Sequence, residues 1–118
     1  MNITRRSIYD DIKPNKDYKE FCKEVFFHPV SESKRLSKKG FMMLRKHYKH
    51  HIVEVLAGSD KREIPAKNYI FLARYCKAPY YIGTDKLVFF DEDEAFLFKL
   101  CDGDIENVDQ VTQDENNA

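Results

Sequence analysis

The stretch from Tyr80 to Phe90 constrains this chain most. Tyr80-Tyr81-Ile82 and Lys86-Leu87-Val88-Phe89-Phe90 flank Gly83-Thr84-Asp85. Two short aromatic and β-branched runs around a small polar loop predict a β-hairpin. The chain is thereby committed to an antiparallel pair. Ile52 to Leu56, rich in β-branched residues, predicts a further short strand, which Gly58, Ser59 and Asp60 interrupt.

Helical periodicity accounts for most of the rest. Tyr18, Phe21, Cys22, Val25 and Phe26 make one apolar stripe and predict a helix over roughly 16–27. Asn15 or Asp17 is placed to cap it, and Pro29 to end it. A second helix is predicted from about Ser37 to His50. Ser37 is its N-cap, Leu36 and Phe41 have the spacing of a hydrophobic staple, and Phe41, Leu44 and Tyr48 form the inward stripe. Pro65 suits the first turn of a third helix, expected to be the most buried, and Pro79 closes it. Asp91 to Cys101 predicts a last helix with acids in its first turn and Gly103 as its stop.

The order helix, helix, strand, helix, two strands, helix predicts an α+β fold: about four helices and a short three-stranded antiparallel sheet, with the helices on one side. The strand count and the hairpin also fit a winged-helix-like arrangement, although winged domains usually place two helices between the first strand and the hairpin. A chain of 118 residues is expected to be a single small domain. Residues 1–14 read as an N-terminal arm in which Ile3, Ile8, Tyr9 and Ile12 can dock, and residues 15–108 as the globular body. Residues 109–118 are polar, acidic and aperiodic, and predict a disordered tail.

The net charge of zero hides a split. Residues 1–90 carry 19 Lys and Arg against 10 Asp and Glu, whereas residues 91–118 carry Lys99 against 10 acids. A basic body with an acidic tail points to a polyanionic partner, to a tail folding back, or to both. Between Lys34 and Lys49 there is no acid. At about 100° per residue, Lys38, Lys39, Arg45, Lys46 and Lys49 fall within an arc of roughly 120°, centred on Met42 and away from the Phe41 stripe. Lys38 and Lys39 occupy a first helical turn, where a bound anion such as phosphate would offset their conflict with the helix dipole. Arg35 precedes the arc. Lys67, Phe71 and Arg74 share a face of the third helix, and aromatics between cations can stack on bases, although core packing of Phe71 is the simpler reading. A solvated face that keeps the protein in solution is the competing reading of the whole arc.

Other chemistry finds little support. His47 and His51 have i, i+4 spacing, but the order is not that of a zinc-protease helix, and the neighbouring lysines would repel a cation. Asp102-Gly103-Asp104 lacks the other ligands of a calcium loop. No phosphate-loop, dinucleotide or nucleophile-elbow motif occurs, so no catalytic residue, metal or cofactor is expected. Cys22, Cys76 and Cys101 lie far apart in apolar stretches, as buried free thiols of a reducing compartment would. No apolar run approaches the roughly 20 residues that cross a bilayer, and the N-terminus lacks a signal-peptide core. A cytoplasmic protein without a membrane partner is the expectation.

Ala78-Pro79-Tyr80-Tyr81-Ile82, Leu87-Val88-Phe89-Phe90, Glu94-Ala95-Phe96 and Leu100-Cys101-Asp102-Gly103-Asp104-Ile105 lie downstream of Tyr18-Lys19-Glu20-Phe21 and Phe27-His28-Pro29. Together they resemble small uncharacterised proteins of T4-like tailed phages, over about residues 15–108. The resemblance implies a phage accessory protein acting in the host cytoplasm, and it assigns no residue a role.

The functional expectation is therefore a non-catalytic accessory protein. It would bind nucleic acid, DNA or RNA, through Arg35, Lys38, Lys39, Arg45, Lys46, Lys49, Lys67 and Arg74, with about six phosphate contacts giving a strong salt dependence. The alternative is a protein–protein interaction module, or an inhibitor of a host complex, whose basic helix meets an acidic protein surface.

Overall fold

The structure, a computed structural model, describes residues 3–55 and 64–110. Along the chain come α1 (Arg5–Ile12), α2 (Tyr18–Val25), α3 (Lys38–His47), β1 (His51–Glu54), α4 (Ala66–Tyr75), β2 (Tyr80–Ile82), β3 (Lys86–Phe89), α5 (Glu92–Cys101) and a 3-10 turn (Ile105–Asn107). The α+β class holds. Among the described residues one helix, α4, lies between β1 and the hairpin, where a winged-helix domain usually has two.

The three strands are antiparallel in the order β1-β3-β2. His51 pairs with Phe89 and Glu54 with Lys86 on one side of β3; Tyr80 pairs with Phe89 and Ile82 with Leu87 on the other. The Gly83 N–H donates to the Lys86 carbonyl at 2.9 Å and closes the expected hairpin. Because β3 is central, its alternating side chains serve two cores. Leu87 and Phe89 join Phe71 and Leu72 of α4 and Phe98 of α5. Val88, with Phe90 just beyond the strand, joins Ile8, Phe21, Val25, Phe41 and Leu44 from α1, α2 and α3. The expectation of helices on one side is thus corrected: the sheet is covered on both faces. The unbroken apolar run Leu87 to Phe90 is the signature of a strand buried on both sides.

Caps fix the helix starts. Asp17, Ser37 and Asp91 each accept a backbone N–H three residues on, at 2.8, 3.0 and 3.0 Å. Thr4 and Ser7 form a reciprocal capping box on α1. The arm is therefore helical, and its Ile8 is fully buried. Pro29 does not end α2. Phe26 forms a bridge with Leu36, and the Phe27 N–H donates to the Arg35 carbonyl at 3.0 Å, so pairing takes over from the helix before the proline is reached. Nor is α4 wholly buried: Asn68, Phe71 and Leu72 point inward, whereas Tyr69 and Ile70 are exposed. Asp109 and Gln110 continue a helical turn begun at Val108; the rest of the expected tail, residues 111–118, lies outside the described residues.

Two contacts connect these elements tightly. Arg5 donates to the carbonyls of Pro29 (3.2 Å), His28 (3.3 Å) and Ser33, and its guanidinium lies 4.0 Å from the centre of the buried Phe26 ring. One N-terminal side chain thus holds the turn between α2 and α3. At the crossing of those helices, the Ser37 hydroxyl donates to the Glu24 carbonyl at 2.6 Å, and Gly40 lies against the backbone of Val25. A Cβ at Gly40 would sit 2.0 Å from the Val25 carbonyl oxygen. Gly40→Ala gains helix propensity but cannot be seated without moving α3. It is expected to destabilise by about 1–3 kcal/mol, read as a lowered urea midpoint. An unchanged midpoint would contradict this packing.

Candidate functional site

The basic residues are distributed unevenly by this framework. Gly40, Phe41 and Leu44 face the core from α3, which leaves Lys38, Arg45 and Lys46 on its outer surface with Met42 among them. Met42 is 39% exposed. No described acid pairs with Lys38, Arg45 or Lys46. Lys38 and Lys46 are eight positions apart, about 12 Å along the axis. Arg45 also leans toward the Phe41 ring, 5.9 Å from its centre.

The other candidates stand differently, each for a structural reason. Lys39 is ion-paired with Glu24 of α2, which also holds Lys16. The anion expected near the first turn of α3 is in part already there, as a carboxylate of the protein itself. It relieves the conflict between Lys39 and the helix dipole. Lys49 does not continue the helical arc, because α3 ends at His47 and Tyr48 is extended. It borders a cavity of about 320 Å³ together with Asp91, Glu92 and Asp93, among the first acids of α5. Lys67 is 3.6 Å from Asp102, an exposed pair worth little. Lys67 and Arg74 lie on α4, which packs on the sheet face opposite α3. Phe71 is fully buried and unavailable to a base.

Arg35 has a distinct setting. Its guanidinium lies 4.0 Å from the centre of the Phe27 ring and 5.8 Å from that of Tyr69. Phe27 is 50% exposed and Tyr69 41% exposed. Neither aromatic was marked by the sequence reading as a site residue. One signal was present: Phe27 falls off the Phe21–Cys22–Val25–Phe26 stripe, so it had no place in the core.

No family model, curated protein or solved structure matches this chain. Function must be read from the side chains.

The histidines are spread by the same helix end. His47 is exposed on α3, His51 lies in β1, and His50 packs edge-on to Phe41 at 6.1 Å and near Phe90 at 6.0 Å. Their i, i+4 spacing therefore does not correspond to one helical face. Among the described residues no group of three or more His, Cys, Asp or Glu is arranged to hold a metal. No described helix is long and apolar enough to cross a membrane.

Burial shapes further titratable groups. The Glu94 carboxylate accepts the backbone N–H of Lys77 at 2.7 Å and of Ala78 at 3.4 Å, tying the α4–β2 link to the start of α5. Burial raises its pKa, against the lowering effect of those N–H groups. Burial also pushes the Cys76 thiol up, and the Glu94 and Asp91 carboxylates add to the effect. Cys101 is raised by burial and then by Asp104. A nucleophilic cysteine needs the opposite setting. All three thiols are free and buried. A disulfide-exchange reagent at mildly alkaline pH should therefore react with none of the three promptly in the folded protein, and with all three in denaturant. Fast labelling of Cys76 in the folded state would contradict its assigned burial.

Proposed function

We propose that this protein binds nucleic acid without catalysis, through phosphate contacts made by Lys38, Arg45 and Lys46. The observation that carries this reading is the acid-free outer surface of α3. Three cations lie there; Glu24, beside the start of the helix, is engaged with Lys16 and Lys39, and Asp11, at its far end, accepts a hydrogen bond from the Tyr48 hydroxyl. Arg35 adds a fourth positive charge near the start of the helix, and Lys39 contributes once it exchanges Glu24 for phosphate. Lys49, Lys67 and Arg74 have no part in this contact surface. With about three phosphates engaged, the salt dependence is gentler than six contacts would give: a slope of log affinity against log salt near −2 to −3.

A second reading rests on α5. Phe96 is 59% exposed and Leu100 47% exposed, one helical turn apart on a helix with an acidic start. That stripe fits a protein partner with a basic, apolar surface, such as a component of a host complex. The sequence resemblance to proteins of tailed phages suits either reading and would imply action in the cytoplasm of an infected cell.

Lys38→Glu combined with Lys46→Glu separates the two readings. Both positions are exposed, so stability should change by less than about 0.5 kcal/mol. Duplex affinity measured by fluorescence anisotropy should fall more than about tenfold, with a shallower salt slope. Unchanged affinity in the double variant would remove α3 from the account.

A further inference from the structure

The turn between α2 and α3 joins two aromatic rings to a cation. Phe26 and Phe27 are consecutive, yet Phe26 is 1% exposed and Phe27 50% exposed. The rule that large apolar side chains turn inward is broken by one of them. Arg35 does not cover that ring with a salt-bridged guanidinium, since no described carboxylate pairs with it. It lies 4.0 Å over Phe27 and 5.8 Å from the half-open Tyr69 ring. The His28 ring stands edge-on to Phe27 at 4.7 Å. Glu32 is the one carboxylate of the turn; it is exposed and unpaired with any described cation.

The backbone beneath these rings is held from several directions. The Phe27 N–H donates to the Arg35 carbonyl at 3.0 Å, the Leu36 N–H to the Tyr80 carbonyl at 2.8 Å, and the Tyr80 N–H to the Lys34 carbonyl at 3.1 Å. Arg5 fixes the other side of the turn through the carbonyls of His28, Pro29 and Ser33. The rings are thus presented by a fixed support, which lowers the ordering cost of a stacked ligand. Lys38 lies three positions after Arg35, at most about 11 Å of chain, so the aromatic group adjoins the cations of α3.

We propose that Phe27, Arg35 and Tyr69 form a stacking ledge for the bases of single-stranded nucleic acid. This deepens the reading of α3 as a phosphate-contacting face and rests on it. A duplex hides the flat faces of its bases, whereas a single strand offers them to aromatic rings and to guanidinium planes. A base can stack on the outer side of the Arg35 guanidinium, extending its stack on Phe27, or on the ring area of Phe27 left open, and the backbone of the same strand passes toward Lys38 and Lys46. The positive charge of Arg35 and Lys38 favours a polyanion over a neutral aromatic ligand.

The test compares two labelled strands of about twelve nucleotides, one carrying bases and one abasic, against the full-length protein by anisotropy. Both strands carry the same phosphates. The expected result is a preference of about tenfold for the base-bearing strand, which Phe27→Leu removes while leaving affinity for the abasic strand unchanged. Lys38→Glu should weaken both strands alike. Tyr69→Leu is an independent second variant, with circular dichroism confirming that each variant is folded. Equal affinity for the two strands in the parent protein would overturn the ledge and leave the α3 reading intact. A preference that survives both leucine variants would also overturn it. Failure of the parent protein to bind either strand or a duplex would overturn both proposals together.

Discussion

The two-sided burial of β3 is the constraint on which the rest of the structure depends. Its ladder partners occupy both edges, and its side chains alternate between two cores. Val88 and Phe89 are fully buried although they point to opposite faces. Each such side chain contributes roughly 1.5–3 kcal/mol on burial, so neither face can be left uncovered in a domain of this size. The helices must therefore divide: α1, α2 and α3 over one face, α4 and α5 over the other. The division decides which charged residues are neighbours. It puts Lys38, Arg45 and Lys46 on a helix of one face and Lys67 and Arg74 on a helix of the other.

Within the α1–α3 layer the decisive contacts are polar. Gly40 lets α3 approach the end of α2, and the Ser37 hydroxyl bonds its carbonyls. This approach brings Glu24 to Lys39 across fifteen residues of sequence. Arg5 then holds the intervening turn, with its guanidinium against the buried Phe26 ring. Desolvated cation–π contacts are worth about 2 kcal/mol or more, whereas exposed ones are worth about 0.5–1. By that measure Arg5 on Phe26 is a structural contact. Arg35 on the half-exposed Phe27 contributes less to folding and leaves ring area open to solvent.

Much of the fold was legible because it depends on local chemistry. The hairpin around Gly83-Thr84-Asp85, the Ser37 cap and the acidic first turn of α5 follow from residue types at fixed offsets, and each is where the sequence puts it. The two-sided cover of the sheet was missed because the run Leu87 to Phe90 was read for its strand propensity and not for what it lacks, a polar face. The end of α2 was misplaced because a tertiary bridge, Phe26 with Leu36, acts before Pro29 can. The candidate site was half legible. Helical spacing brings Lys38, Arg45 and Lys46 to one face, but the pairing of Lys39 with Glu24 and the departure of Lys49 along the extended chain after His47 depend on where the helix ends and on contacts distant in sequence. Phe27 carried only the negative signal of falling off the α2 stripe, and Tyr69 shares helical spacing with Ala73 and Cys76, so nothing in the sequence set it apart from a core residue.

The central claim is that one face of α3, and not the basic residues as a whole, engages nucleic acid. Lysine acetylation of the full-length protein, with and without a saturating single-stranded oligonucleotide and read by mass spectrometry, tests it most directly. The account predicts protection of Lys38 and Lys46, with Lys67, Lys77 and Lys99 labelled as in the free protein. Protection of Lys67 with Lys38 and Lys46 left reactive, or equal protection of every exposed lysine, would contradict it.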